Sequence, residues 1–134
     1  RSPKRRQARA IRNAAWRSWQ PHDRYRALGQ VYLAMGEPRN ALRAFDDALR
    51  WDPYRDEAAA LGKEFHAQVA VGQARAWRRL GDLSRAVQLQ EAAVEHTPGQ
   101  PARWLELADL YQAQGRLDRA EQARRRAAEL RSSP

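Results

Sequence analysis

Bulky and small apolar residues recur at spacings of three and four in two stretches that echo each other: Tyr25, Leu28, Gly29 and Tyr32, then Trp104, Leu107, Ala108 and Tyr111. That spacing puts all four side chains on one helical face, so each stretch predicts an amphipathic helix with one buried stripe. A glycine follows each stripe, Gly36 and Gly115, where a helix stop calls for a left-handed residue. After Glu37-Pro38 a second stripe begins, with Ala41, Leu42, Phe45, Ala48 and Leu49. Pro38 suits a first helical position because its missing N–H would have no partner there. Asp52-Pro53 and Thr97-Pro98 close second helices, since proline cannot continue the ladder from inside.

The two stretches stand 79 residues apart, and 79 divides into 45 and 34. A middle copy lies where that division puts it, from Ala70 to Ala86, with Trp77, Gly81 and Ala86 in the places of Tyr32, Gly36 and Ala41. Ala86, Val87, Leu89, Ala93 and Val94 form its second stripe. A 34-residue helix-turn-helix unit with an early aromatic, Leu, Gly or Ala, Tyr, then Ala, an aromatic and Pro resembles the tetratricopeptide repeat. Copy one carries Tyr25, Leu28, Gly29, Tyr32, Ala41, Phe45, Ala48 and Pro53. Copy three puts Arg124 where the second aromatic belongs, and copy two departs at Ala70, Gln73 and Gln90. The resemblance spans residues 22 to about 131. It implies an all-α fold, an α-solenoid of three antiparallel helix pairs with an extra N-terminal helix and a lengthened first helix in repeat two. The expected units are 1–21, a basic helix; 22–55, repeat one; 56–100, repeat two with its insertion; and 101–134, repeat three with the C-terminal end.

The excess in repeat two is eleven residues, AAALGKEFHAQ. Eleven residues make close to three turns at about 3.6 per turn, so a helix lengthened by them keeps its buried face in phase. One rod is therefore expected from just after Asp52-Pro53 to about Leu80, with Gly62 and Gly72 costing about 1 kcal/mol each relative to alanine. A break near Gly62 or Lys63 is the alternative. The opening stretch SPKRRQARAIRNAAWRSW predicts one further helix, capped by Ser2, with Pro3 in its first turn and Gln20-Pro21 at its end. Ala8, Ile11, Ala15 and Trp19 share one face, and Arg5, Arg6, Arg9, Arg12 and Arg17 fill another. Its bed is either the first repeat or the overhang of the long helix around Leu61, Phe65 and Val69.

At 134 residues the chain is one domain's worth, rich in Ala, Arg, Leu and Gln and poor in β-branched residues, which favours helices over strands. No run of about 18 apolar residues is present, nor a signal-peptide pattern. The first residue is Arg, so the chain is read as a piece of a longer protein. The net charge of +9 is concentrated at the start: seven bases and no acid precede residue 21, leaving 18 bases against 16 acids beyond it. Arginine supplies 23 of the 25 bases, a bias that coding preference alone would also produce.

Candidate chemistry is sparse. The absence of cysteine excludes disulfides, thiolate zinc sites and thiol nucleophiles. His22, His66 and His96 lie far apart with no i, i+4 pair, and are read as surface or turn residues rather than metal ligands. The seven glycines are isolated, no serine sits in a GxSxG elbow, and Asp46 and Asp47 diverge by about 100° on a helix. No catalytic residue, cofactor or metal is expected.

The resemblance implies a non-catalytic protein-interaction scaffold whose concave groove is lined by first helices. Here those positions are Arg26, Gln30 and Leu33; Val71, Arg75, Arg78 and Arg79; Leu105, Asp109 and Gln112. Such a groove is basic in its middle and acidic towards its end, with Leu33, Val71 and Leu105 as apolar footing. The partner would be a protein or peptide, an acidic segment suiting the arginines. The clamp that some members use on a chaperone's C-terminal carboxylate is not reproduced, because Ala102 and Glu106 stand where its cations belong. A second class is polyanion binding, to nucleic acid or an anionic membrane surface, by Arg5, Arg6, Arg9 and Arg12 with Trp16 stacking; Trp16 could equally pair with Arg12. If the run flanks a membrane span outside this chain, the positive-inside bias places the domain on the cytoplasmic side.

Overall fold

A computed structural model describes residues 3–13, 19–54 and 60–133, the side chains of 10–13 excepted. Among the described residues there are seven helices and no strand: α1 (Pro3–Asn13), α2 (Pro21–Ala34), α3 (Pro38–Arg50), α4 (Ala60–Arg79), α5 (Leu83–His96), α6 (Pro101–Ala113) and α7 (Leu117–Ser132). Helices α2 and α3, α4 and α5, and α6 and α7 pack as pairs, and each pair leans on the next through α3 on α4 and α5 on α6. Helix α1 packs on α2 in the same manner and so takes the place of the second helix of a preceding unit.

One device turns the chain at all three pairs. Gly36, Gly81 and Gly115 have φ of 75°, 87° and 78°, the left-handed region where a side chain would be strained. The next residue, Glu37, Asp82 or Arg116, donates its N–H to the carbonyl of Tyr32, Trp77 or Tyr111 at 2.8–2.9 Å, and the glycine N–H reaches the following carbonyl. This is a Schellman stop, which satisfies carbonyls that a helix end leaves open. The signature aromatic thus does two jobs, packing its ring and accepting the turn's hydrogen bond. At the opposite end of one turn, Asp82 caps α5 by accepting from the Arg85 N–H at 3.0 Å.

The first core lies between α2, α3 and α4, where Phe45, at 0% exposure, meets Leu33, Ala41, Ala48, Phe65 and Val69. Its ring is seated between Gly29 and Gly72, and a Cβ on either glycine would overlap the ring carbons. Gly72 is therefore a packing requirement of the first seam rather than only a propensity cost. The second core joins α4 to α7 through Val87, Val94, Leu107, Leu110 and Tyr111.

One expectation is met as far as the described residues reach, and one is corrected. Pro53 and Tyr54 form a turn in which the Tyr54 N–H donates to the Asp52 carboxylate at 2.8 Å, and the expected start of the long helix just after them falls outside the described residues. The helix runs unbroken from Ala60 to Arg79 through Gly62 and Lys63, and residues 55–59 lie outside the described residues. Trp19 is 41% exposed and non-helical, since Pro21 forces Gln20 into extended backbone and the Trp19 carbonyl accepts from Arg24 Nη1 at 3.2 Å instead. Ala15 and Trp16 lie outside the described residues. Ala8 is buried on Leu28, Val31 and Ala44, so the bed of α1 is the first repeat; Phe65 and Val69 pack on Phe45, and Leu61 is exposed.

Candidate functional site

The face made by α2, α4 and α6 carries a cleft of about 840 Å³ lined by Gln30, Leu33 and Ala34 of α2 and Arg75, Arg78 and Arg79 of α4. Five of these six were expected from the repeat register. The spacing explains why: Arg75 and Arg79 lie one turn apart on α4, and Arg78 shares their face. A smaller pocket of about 160 Å³ adjoins it between α4 and α6, with Arg75 and Arg78 in both and Gln90, Glu106 and Asp109 added.

The three arginines differ in what they are free to do. Arg79 Nη1 donates to the Leu33 carbonyl at 2.6 Å, and Lys4 Nζ of α1 donates to the Ala34 carbonyl at 2.7 Å. Helix α2 has no basic residue in its last turn, so these cations come from its neighbours to the negative end of its dipole. Arg75 forks onto Glu106, its Nε and Nη2 at 3.0 and 2.5 Å from the two carboxylate oxygens, tying α4 to α6. Arg75 and Arg79, expected from sequence as groove residues, each hold a contact within the fold, and the partners lie on other helices. Arg78 is exposed and has no partner among the described residues.

The remaining expected positions are placed as follows. Val71 is 7% exposed, in a cluster with Ala67, Ala70 and Ala93, and lines neither pocket. Leu33 is 6% exposed yet forms the cleft wall. Arg26 lies 3.7 Å from Asp23 on its own helix and lines neither pocket, and neither does half-buried Leu105. Gln112 bonds Arg124. Asp109 is exposed on the rim of the smaller pocket, so acidic character does follow the basic middle.

Sequence reasoning missed Gln90 and Glu106 as site residues. The available signal was that both depart from the repeat pattern, Gln90 from its aromatic and Glu106 from the position of a cation. At the far end of α4, Glu64 accepts from Arg103 at 2.7 and 3.1 Å and from Gln100 at 2.9 Å, and the Arg103 bond holds its carboxyl below the usual carboxylate range.

The histidines also need correction, since they are not simply surface residues. His22 is 5% exposed because its ring stands edge-on to Phe65 and Tyr54, at 5.0 and 5.5 Å. His66 Nε2 lies 2.5 Å from Asp52, with the His96 ring 5.5 Å away. Burial, then His66, lowers the His96 pKa below its ordinary value. No group of three His, Asp or Glu able to hold a metal occurs among the described residues. On the leading helix, Arg5 pairs with Glu37 at 3.3 Å, whereas Arg6 and Arg9 are exposed. The Arg12 and Trp16 side chains lie outside the described residues. Among those residues no helix is long and apolar enough to cross a membrane.

Two sequence-family matches cover residues 23–55 and 78–130, and both are to the tetratricopeptide repeat. No curated protein matches the chain. Among solved structures, MamA MSR-1 C2 superposes with a TM-score of 0.70 at 17% identity, over 97% of this chain and 70% of that one. MamA 41-end from Desulfovibrio magneticus RS-1 gives 0.49 at 16% identity, over 96% and 85%. At such identities the likeness is one of fold.

Proposed function

We propose that this chain, which belongs to the tetratricopeptide repeat family, is a protein-interaction scaffold that holds an extended segment of a partner along the α2–α4–α6 face, with Arg78 as the principal charged contact. The observation that carries the reading is the difference among the three cleft arginines. Arg75 and Arg79 already satisfy acceptors within the fold, while Arg78 borders both pockets with its guanidinium uncommitted. A carboxylate on the partner would gain a forked, charge-assisted pair there without breaking anything. Such a contact mainly steers encounter and sets specificity, so affinity should fall as salt rises.

The test is selection of random peptides displayed on phage, followed by titration of the recovered peptides. Arg78→Glu should weaken binding at least about tenfold with the helical spectrum unchanged, which corresponds to about 1.4 kcal/mol. Replacing Arg6 and Arg9 by Gln should leave peptide binding intact. If the peptides bind Arg78→Glu as well as the wild type, or no peptide is enriched, the reading fails. Loss confined to the Arg6/Arg9 variant, together with salt-sensitive binding of duplex DNA or anionic vesicles, would put the polyanion reading in its place.

A further inference from the structure

The smaller pocket exists because the second seam of the solenoid is built differently from the first. At the α3–α4 seam, the Phe45 ring fills the space between Gly29 and Gly72. Advancing each position by one repeat gives Gln90 for Phe45, Ala74 for Gly29 and Glu106 for Gly72. All three line the pocket of about 160 Å³. An amide has replaced a phenyl ring, and Glu106 is drawn aside by Arg75, so the space is not filled. Gln90 is 1% exposed; its Nε2 donates to the Arg103 carbonyl at 3.0 Å, and its Oε1 is buried with no partner among the described residues. A buried acceptor left so is costly, and a ligand donor would recover that cost.

Resting on the groove reading above, we propose that this pocket is a specificity slot for a carboxamide side chain, Asn or Gln, of the bound segment. The slot's polarity selects that group. Arg75 and Arg78 disfavour an ammonium, and Glu106 and Asp109 disfavour a carboxylate, while a neutral group with donor and acceptor meets both. Its NH2 would donate to Asp109 on the rim and, once the Gln90 amide turns towards it, to Gln90 Oε1, and its carbonyl would accept from Arg78. A carboxamide head is within the pocket's volume, and an apolar head of that size would leave the floor acceptor unpaired.

The experiment uses the same phage-displayed peptide library on the whole chain, followed by a cycle between peptide and protein. Peptides recovered on the wild type should hold Asn or Gln at one fixed position beside an acidic residue, and changing that residue to Ala should weaken binding about tenfold. With Gln90→Met, which keeps the volume and removes the acceptor, that change should have little further effect, so the two losses do not add. Gln90→Leu, checked by thermal unfolding, guards against a folding defect, and the peptide-side change is read on unaltered protein. Peptides that depend on Arg78 but carry no fixed carboxamide, or losses that add, would overturn the slot and leave the groove standing. Enrichment of no peptide would overturn both.

Discussion

The ring of Phe45 on α3 rests directly on the backbone of Gly72 on α4, leaving no room for a Cβ. Phe45→Ala should cost about 3–5 kcal/mol, as a fully buried ring replaced by a cavity does. Gly72→Ala is the more telling variant. Helix propensity favours it by about 1 kcal/mol, whereas overpacking opposes it by about 1–3 kcal/mol. Net destabilisation in urea unfolding is the expected outcome, and a gain in stability would show that the seam has slack.

Arg75 and Glu106 form a forked pair between α4 and α6, with side chains 54% and 33% exposed. Solvent screening limits such a pair to below about 1 kcal/mol. A double-mutant cycle with Arg75→Ala and Glu106→Ala should return a coupling of that size, and Arg75→Glu alone should destabilise by setting two carboxylates together. Arg78→Glu, with no partner to lose, should stay within about 0.5 kcal/mol of the wild type.

Glu64 has a depressed pKa in the fold, through Arg103 first. The unfolded chain therefore takes up this proton at higher pH than the folded one. The stability it contributes is present above its ordinary value of 4.5 and is lost as pH falls through the lower folded value. Glu64→Gln should flatten the acid limb of stability in that window, measured by urea unfolding at stepped pH.

For His96 the depressed value has another cause, burial, reinforced by His66. Below 6.5 the unfolded chain binds the proton more readily, so this group's contribution is present above 6.5 and is lost as pH falls towards and through its folded pKa. An NMR titration should place the His96 midpoint below 6.5, and His96→Asn should reduce the loss of stability between about pH 6.5 and 5.5.

What was legible in the sequence was what repeats. Gly36, Gly81 and Gly115 marked three turns of one kind, and the register from Tyr25 to Trp104 put Gln30, Leu33, Arg75, Arg78 and Arg79 on a common face. The pairing of those arginines was not legible, because Arg75 finds Glu106 thirty-one residues on and Arg79 finds a carbonyl forty-six residues back. Such contacts depend on how helices lean, which periodicity does not encode. Gly72 was misjudged for the same reason: within one helix it is a weak residue, and only the ring on the next helix makes it necessary. The turn at Pro53 and Tyr54 rests on a single Asp52 hydrogen bond, a local choice that an in-phase helical insertion conceals.

The clasp on the end of α2 has a consequence for how the molecule comes apart. In a solenoid each unit normally answers only to its neighbour, and opening can begin at any boundary. Lys4 and Arg79 instead bind adjacent carbonyls of α2, so α1, α2 and α4 share one electrostatic end, with Phe45 wedged between α2 and α4. The N-terminal half should therefore open as one cooperative block. The weaker joint is the polar seam at Gln90, and amides of α6 and α7 should exchange with deuterium before those of α2 and α3.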